Sequence, residues 1–299
     1  MKSLAAFAAV LTMTWAVAAQ AATVGFATAV VPVAGDRPLQ VAVWYPSSAP
    51  EAADRLGLGE QTVARDGPVV GAHHPLIVIS HGTGGSTAAP FAPAPDLARA
   101  GFVVAAVSHT GDPHDDRSRA LRISERPGQL VRVIDYMTGE WAGRGALDAR
   151  RIGAFGFSSG GFTVLAAIGG EPDLALLAPH CREHPAYFDC RLETSTGAVA
   201  PATSAPVAHD PRIRAAVVAA PALGFTFAPS GLSRVRVPVQ LWRAGDDTVL
   251  PHPLYAEAVR AALPRPPEYH VVSGADHFDF LPPCSPGLAK AAPMICERA

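Results

Sequence analysis

The segment G-F-S-S-G at residues 156–160 constrains this chain more than any other part of its sequence. It follows an apolar run, R-I-G-A-F, and precedes G-F-T-V-L-A-A-I, which favours a helix. A strand, a tight turn and a helix are the setting in which a G-x-S-x-G serine stands on a strained turn with its hydroxyl accessible. Gly156 and Gly160 leave room for that turn. The pattern predicts that Ser158 is a nucleophile. Because the chain has 27 glycines, the alternative is that this serine lies in an ordinary glycine-rich turn.

A second glycine-rich turn, H-G-T-G-G at residues 81–85, follows the apolar run L-I-V-I-S. Such a turn after a strand supplies one backbone N–H to an oxyanion hole, and the residue after the nucleophile supplies the other. We expect the donors to be the N–H groups of Thr83 and Ser159, with Gly84 as an alternative to Thr83. His81 is expected to shape this loop rather than to transfer protons.

One histidine and two aspartates follow predicted strands further along the chain. His277, in the sequence G-A-D-H, is the predicted base that activates the serine. Asp246 and Asp247 both follow the strand predicted at residues 237–242, and either carboxylate would orient the imidazole. Asp247 is favoured because it lies four residues before Pro251, as in G-x-x-D-x-x-V-P patterns. Asp246 stays open as the alternative acid or as a turn residue.

The remaining pattern predicts an α/β fold. Residues 24–31 and 39–45 read as an opening antiparallel hairpin, and residues 46–74 as a loop-like segment with some helix. From residue 76 onward, apolar strands alternate with helical segments, which favours a mainly parallel sheet with helices on both faces. Residues 22–299 form a plausible single domain, since 49% of the chain is hydrophobic and 17% charged.

Residues 1–21 have the pattern of a secretory signal peptide. Lys2 precedes an apolar core, and A-Q-A at residues 19–21 resembles a cleavage site. A membrane anchor is the alternative, but the run is shorter than the ~20 residues that a span needs. We therefore expect a periplasmic or secreted protein. The net charge of −2 becomes −3 without Lys2, and it indicates no nucleic-acid partner.

Four cysteines lie in the expected mature chain. An even number in an exported protein favours disulfides, and we expect the local pairs Cys181–Cys190 and Cys284–Cys296. A metal site is the alternative, because His184 lies close to the first pair.

Residues 170–211 interrupt the alternation of strands and helices. They contain the first cysteine pair and a low-complexity tract, and they lie between the helix predicted after Ser158 and the strand predicted at residues 213–219. We expect a disulfide-pinned cap, with a remote surface loop as the alternative.

A polar cluster follows the strand predicted at residues 102–108. It comprises His109, His114, Asp115 and Asp116. One interpretation of such a cluster is a binding site for a divalent cation. We favour a hydrogen-bonded loop in which His109, together with His81, lines the pocket, and we expect no metal or other cofactor.

The chain resembles the α/β-hydrolases, and among them exported bacterial proteins that are called dienelactone hydrolase-like and are similar to platelet-activating-factor acetylhydrolases. The resemblance rests on four stretches and covers most of the mature chain: S-H-G-T-G-G at 80–85, V-S-H-T-G-D at 107–112, G-F-S-S-G at 156–160 and G-A-D-H-F-D-F-L at 274–281. Dienelactone hydrolases use a cysteine nucleophile, whereas position 158 is serine. The resemblance therefore implies the fold, the triad and acyl-transfer chemistry, but not the substrate.

These residues together predict a serine esterase that acts on small-molecule or polymeric esters. An amidase or peptidase would use the same triad. A hydrolase-fold protein that only binds a ligand is a further alternative, although such a protein would not need an intact triad.

Overall fold

The computed structural model of the chain describes residues 23–57, 59–88, 93–196 and 206–296. Within these ranges, ten strands form one sheet. The strands are β1 (Thr23–Val31), β2 (Leu39–Ser47), β3 (Ala52–Leu56), β4 (Gly59–Arg65), β5 (His74–Ser80), β6 (Val103–Ser108), β7 (Leu147–Phe157), β8 (Ile213–Ala219), β9 (Val239–Ala244) and β10 (Glu268–Val272). The predicted signal peptide, residues 1–21, lies outside the described residues.

The sheet is mainly parallel, as the sequence predicts. Strands β5 to β10 run parallel to one another in the order β10-β9-β8-β7-β5-β6. Strand β2 joins β6 antiparallel and pairs with β1, which confirms the predicted opening hairpin. Since β7 lies between β5 and β8, the carboxyl ends of these three strands meet near Phe157.

Helices cover both faces of the sheet. They are α1 (Pro93–Arg99), α2 (Arg126–Gly139), α3 (Ser159–Ala167), α4 (Leu177–Glu183), α5 (Phe188–Thr196), α6 (Pro229–Leu232), α7 (Ala256–Ala262), α8 (Pro286–Ala291) and α9 (Pro293–Cys296). One core joins α2, α3 and α7 to one face of the sheet. A second core joins α1 to the other face through Ala94 and Ala98. Apolar burial on both faces explains why the parallel strands read as continuous hydrophobic runs.

The prediction for residues 46–74 was wrong. Instead of a loop with some helix, this segment contains β3 and β4, which pair antiparallel. Strand β4 also pairs with β1, and Trp44 Nε1 donates a hydrogen bond of 2.8 Å to Gln61 Oε1. The hairpin lies at the edge of the sheet and mixes polar side chains with alanine and a few larger apolar ones. Its sequence therefore lacks the apolar run or the regular alternation that would have predicted strands.

The structure confirms both predicted disulfides, Cys181–Cys190 and Cys284–Cys296. The first joins α4 to α5, within the segment predicted as a cap at residues 170–211. The metal site considered for Cys181, His184 and Cys190 is thereby excluded, since neither cysteine has a free thiolate. Among the described residues, no helix is long and apolar enough to cross a lipid bilayer.

Removing the first disulfide should lower the free energy of unfolding. We expect the double variant Cys181→Ser/Cys190→Ser to lose about 2–3 kcal/mol, because the bond closes a short loop and restricts the unfolded chain. Urea unfolding under non-reducing conditions measures the loss. Cys284→Ser/Cys296→Ser, which opens a loop of similar length, is the matched control. An unchanged unfolding free energy in the first variant would contradict the expectation.

Candidate active site

Ser158 stands on the turn between β7 and α3. Its backbone has φ 56° and ψ −120°, a conformation that is strained for a residue with a side chain. Four backbone hydrogen bonds hold it: Ser158 N–H donates to Ala219 O at 2.9 Å, and Ser158 O accepts from the N–H groups of Gly161 at 2.8 Å, Ala222 at 3.0 Å and Phe162 at 3.3 Å. The surrounding backbone therefore fixes the strained residue, as in a nucleophile elbow.

Two glycines make the elbow sterically feasible. A Cβ atom at Gly156 would overlap the carbonyl oxygen of Gly160, and a Cβ at Gly160 would overlap the carbonyl oxygen of Ser80 at the end of β5. In both cases the obstacle is backbone, which cannot rotate away. The glycines therefore let the elbow approach β5 to within van der Waals contact.

His277 connects Ser158 to Asp247 through hydrogen bonds. Its Nε2 lies 3.1 Å from Ser158 Oγ, and its Nδ1 lies 2.8 Å from Asp247 Oδ2. A carboxylate only accepts, so Nδ1 carries the proton and Nε2 is left to accept from the serine hydroxyl. All three side chains are buried. The three residues have the arrangement of a nucleophile, a base and an orienting acid.

The loop after β9 distinguishes the two aspartates. Asp247 Oδ1 accepts from the backbone N–H groups of Val249 at 3.0 Å and Leu250 at 2.7 Å, which leaves Oδ2 for His277. Asp246 is exposed, and its backbone N–H donates to Ala275 O at 2.8 Å. The structure thus brings Asp247, and not the Asp246 side chain, to the histidine.

Asp276 holds the acid loop and the histidine loop together, a contact that the sequence analysis did not anticipate. Its carboxylate accepts from the backbone N–H of Thr248 at 2.8 Å and from that of His277 at 2.8 Å. Asp279 in turn accepts from the backbone N–H of Asp276 at 2.7 Å. The D-x-x-D spacing at 276–279 is a capping-box pattern, so a signal was present in the sequence.

The predicted oxyanion donors lie beside Ser158. A Cβ at Gly82 would lie 3.1 Å from Ser158 Cβ, so the 81–85 turn passes directly over the serine. Thr83 Oγ1 and Ser159 Oγ are 2.6 Å apart, which joins the turn to the start of α3. Within the described part of the chain, no acceptor pairs with the backbone N–H of Thr83 or Ser159, whereas that of Gly84 donates to Asp112 O at 3.1 Å. Gly84, the alternative donor, is thus already engaged.

His81 and His109 lie beneath the turn and do not offer a ring nitrogen to a pocket, contrary to the prediction that they line it. His81 Nδ1 is 2.6 Å from Gly82 O, and its Nε2 accepts from the backbone N–H of His109 at 3.0 Å. His109 Nδ1 bonds to Gln129 Oε1 at 2.9 Å and Nε2 to Ser80 Oγ at 2.8 Å. Burial, together with the nearby positive charge of Arg126, lowers the pKa of His81 to about 3 and that of His109 well below its ordinary value.

A buried ion pair supports the same turn. Arg126 Nη1 lies 3.0 Å from Asp112 Oδ2, and both side chains are almost fully buried. Arg126 Nη2 also donates to His81 O and, at 3.3 Å, to Ser80 Oγ. Burial raises the pKa of Asp112 to about 6 and lowers that of Arg126 to about 10. Sequence reasoning missed Arg126, because an arginine at the start of a helix carries no signal of burial.

The cluster considered as a cation site is not assembled. His109 is buried beneath the turn, His114 and Asp115 are exposed, and Asp116 pairs with Arg37 at 2.6 Å. One other group with metal-type ligands occurs among the described residues: His180, Asp189 and Cys190. Its cysteine is in a disulfide and cannot ligate as a thiolate.

The fold is shared with a solved structure, that of a ferulic acid esterase from Streptomyces cinnamoneus. The match has a TM-score of 0.61 and covers 89% of this chain and 78% of that chain, at 24% sequence identity. The sheet order, the elbow and this match agree with one another. The chain has the α/β-hydrolase fold.

Two family models match parts of this chain. The model described as platelet-activating factor acetylhydrolase, isoform II, matches residues 60–123, which include the 81–85 turn. The model described as the prolyl oligopeptidase family matches residues 92–175, which include the elbow. A curated relative, the bis(hydroxyethyl) terephthalate hydrolase of Streptomyces coelicolor, is 37% identical over 87 residues, or 28% of this chain. The match spans only 25% of the length of that relative. The family resemblance inferred from the motifs is confirmed.

A cavity of about 480 Å³ adjoins the loops that carry the acid and the histidine. One wall comes from the start of α5 and the residues just before it, and the others from the segments that follow Asp247 and His277. It is lined by Ala186, Tyr187, Phe188, Arg191, Thr248, Val249, Pro251, Asp276, Phe278, Asp279 and Ile295. The ring of Phe278 lies 5.2 Å from that of His277, so the aromatic part of the lining borders the base directly.

Helices α4 and α5 are anchored to the main domain by a buried polar cluster. Tyr255 Oη lies 3.1 Å from both carboxylate oxygens of Asp189 and 3.3 Å from His180 Nε2. The ring of His180 also stacks on Phe225 at 3.9 Å. Because Tyr255 precedes α7 in the core, this cluster fixes the disulfide-linked helices beside the cavity.

The buried histidines predict that acid destabilises the protein. In the unfolded chain, His81 and His109 take up protons below pH ~6.5. In the folded protein they stay neutral at that pH, because burial and Arg126 depress the pKa of each. The free energy of unfolding is therefore highest above about pH 6.5 and falls as the pH drops from there toward 3, by about 1.4 kcal/mol per pH unit for each net proton. The raised pKa of Asp112 offsets part of this loss between about pH 4 and pH 6.

Urea unfolding at pH 7, 6 and 5 measures this dependence. We expect a net uptake of about one proton on unfolding at pH 5 to 6, because the uptake by the two histidines is partly offset by release from Asp112. An unfolding free energy that is equal at pH 5 and pH 7 would contradict the burial of two neutral imidazoles.

Proposed function

We propose that this α/β-hydrolase is a serine esterase that cleaves carboxylic esters through an acyl-enzyme intermediate. The observation that carries the proposal is the hydrogen-bonded series Ser158–His277–Asp247, with two N–H groups beside the serine. A serine hydroxyl is a weak nucleophile at neutral pH, and a base at hydrogen-bond distance is what activates it.

The reaction follows from this arrangement. Ser158 Oγ attacks the ester carbonyl while His277 Nε2 takes its proton, and Asp247 stabilises the imidazolium through Nδ1–H. The N–H groups of Thr83 and Ser159 donate to the oxyanion of the tetrahedral intermediate. The intermediate collapses, and His277 returns the proton to the departing alcohol. Water then attacks the acyl-enzyme by the same route, which releases the acid and restores Ser158. These steps need no cofactor.

The substrate class proposed is small-molecule or polymeric esters, with a preference for esters that carry an aromatic ring. Two of the similar proteins are named for aromatic compounds: one is a bis(hydroxyethyl) terephthalate hydrolase and the other is a ferulic acid esterase. The aromatic side chains of Tyr187, Phe188 and Phe278 in the cavity suit a flat ring, since aromatic pairs attract beyond simple burial. The predicted cap would form one wall of this substrate site through α5.

The proposed location is the periplasm or the extracellular medium. Both disulfides support an oxidising compartment, where such bonds form and persist. The signal-peptide pattern of residues 1–21, in which Lys2 precedes an apolar core and an A-Q-A sequence, also supports export.

A peptidase or amidase is the second candidate. The match of residues 92–175 to the prolyl oligopeptidase model favours it, because that region includes the nucleophile. Parallel assays on p-nitrophenyl esters and on p-nitroanilide peptides separate the two: a higher kcat/KM on the anilides would favour the peptidase.

Replacing the nucleophile tests the esterase directly. Ser158→Ala should reduce kcat on p-nitrophenyl esters by a factor on the order of a million, since no other group can form the acyl-enzyme. The assay covers acetate to octanoate esters, with bis(hydroxyethyl) terephthalate as the aromatic substrate. The exposed serine of α6 supplies the control variant Ser230→Ala, which should match the wild type. Wild-type turnover that survives in Ser158→Ala would refute the assignment.

The acid is tested by a pair of adjacent variants. Asp247→Asn should lower kcat by about 10³- to 10⁴-fold, because the amide no longer holds His277 in the required tautomer or stabilises its charge. Asp246→Asn removes an exposed carboxylate and should stay within about tenfold of the wild type. Steady-state kinetics on one ester measure both. A larger loss in Asp246→Asn than in Asp247→Asn would reverse the assignment.

A further inference from the structure

The carbonyl group of Gly82 receives two hydrogen bonds. His81 Nδ1 lies 2.6 Å from Gly82 O, and the backbone N–H of Gly85 donates to the same oxygen at 3.0 Å. This carbonyl belongs to the peptide unit whose N–H is that of Thr83. The groups that bond to Gly82 O therefore act on a proposed oxyanion donor.

The tautomer of His81 follows from its other nitrogen. The backbone N–H of His109 donates to His81 Nε2 at 3.0 Å, and a backbone N–H is never an acceptor. Nε2 is thus unprotonated, so the neutral ring carries its proton on Nδ1. His81 then donates to Gly82 O. The ring is almost fully buried, and Arg126 donates to the carbonyl of His81 itself, which adds a positive charge that opposes protonation.

The geometry of a peptide unit links this contact to the reaction. The Gly82–Thr83 peptide is trans, so its C=O and N–H point in opposite directions. Two donors that hold the oxygen therefore fix the direction of the Thr83 N–H. Hydrogen bonds in a chain also polarise one another, so donation to the oxygen strengthens the N–H as a donor. The Thr83 N–H has no acceptor among the residues described, and Gly82 lies against Ser158.

We propose that His81 is a positioning residue for the oxyanion site. It holds and polarises the Gly82–Thr83 peptide, and the His109 backbone keeps it in the Nδ1–H tautomer that this requires. The proposal rests on the esterase function proposed above. It gives His81 an effect on the transition state, because the oxyanion exists only once the carbonyl has been attacked.

Two variants of His81 separate the donor from the acceptor. In His81→Asn, the amide nitrogen takes the place of Nδ1 and still donates to Gly82 O, while the acceptor for the His109 N–H is lost. In His81→Gln, the amide oxygen reaches the place of Nε2 and still accepts, while the donor to Gly82 O is lost. We expect His81→Gln to lower kcat at least tenfold with KM within about threefold, and His81→Asn to retain most of the kcat.

His270, a half-buried residue of β10 whose Nε2 lies 2.8 Å from Glu268 Oε1, supplies the control variant His270→Gln, which should match the wild type. Thermal unfolding shows whether the two His81 variants fold alike. Equal kcat values in folded His81→Asn and His81→Gln, or a greater loss in His81→Asn, would overturn the proposal.

A measurement on the wild type does not depend on the variants. Nitrogen-15 NMR of the histidine rings reports which nitrogen carries the proton, and we expect His81 as the neutral Nδ1–H form at pH 7. An Nε2–H or a charged ring would overturn the proposal even if the variants failed to fold. An absence of ester turnover in the wild type would instead contradict the proposed esterase function. A failure of the His81 proposal can therefore be distinguished from a failure of the proposed function.

Discussion

The close contact between the end of β5 and the turn after β7 is the constraint on which the rest of the site depends. Gly160 lies against Ser80 O so tightly that a methyl group would not fit. This contact places Ser158 of one turn beneath the backbone of the 81–85 turn, as the proposed acyl transfer requires. The strain at Ser158, of order 1–3 kcal/mol for such a backbone, persists because hydrogen bonds to Ala219 and Ala222 over-determine the turn. The geometry that acyl transfer needs is thus built into the fold before any substrate binds.

The charges beneath the 81–85 turn are difficult to explain by stability alone. Taking the Arg126–Asp112 pair out of water costs several kcal/mol per ion. Well-packed apolar residues in place of a buried ion pair often give a folded state that is equally stable or more stable. The pair instead holds backbone: Arg126 donates to His81 O, and Asp112 lies next to the Gly84 N–H at 3.4 Å. A turn that presents N–H groups to an oxyanion cannot satisfy itself through a regular helix or sheet. The buried ion pair supplies the partners that secondary structure would otherwise provide.

The sequence predicts most of the parts whose chemistry depends on a local pattern. The elbow and the 81–85 turn follow from short motifs, whereas spacing only favours Asp247 over Asp246 and the two local cysteine pairs over the other pairings. The parts it does not predict depend on long-range packing. The β3–β4 hairpin shows no clear apolar alternation. The roles of Arg126 and Gln129 appear only when α2 packs beneath the 81–85 turn, where Arg126 contacts Ser80, 46 residues away in sequence, and Gln129 contacts His109, 20 residues away. A polar residue that becomes buried in this way looks like a surface residue in the sequence.

The difference between local motifs and long-range packing also explains why the chemistry is easier to infer from the sequence than the substrate. Ser158, Asp247 and His277, the proposed triad, belong to loops that follow strands, and the sheet sets their positions. The cavity beside them is bounded by α5, whose position depends on one disulfide and on the contact of His180 and Asp189 with Tyr255. Those contacts join elements 66 and 75 residues apart, and no local motif encodes them. A change in this segment can therefore reshape the cavity while the hydrogen bonds of Ser158, His277 and Asp247 stay intact. Substrate preference and chemical mechanism are separable in this fold, because different contacts determine them.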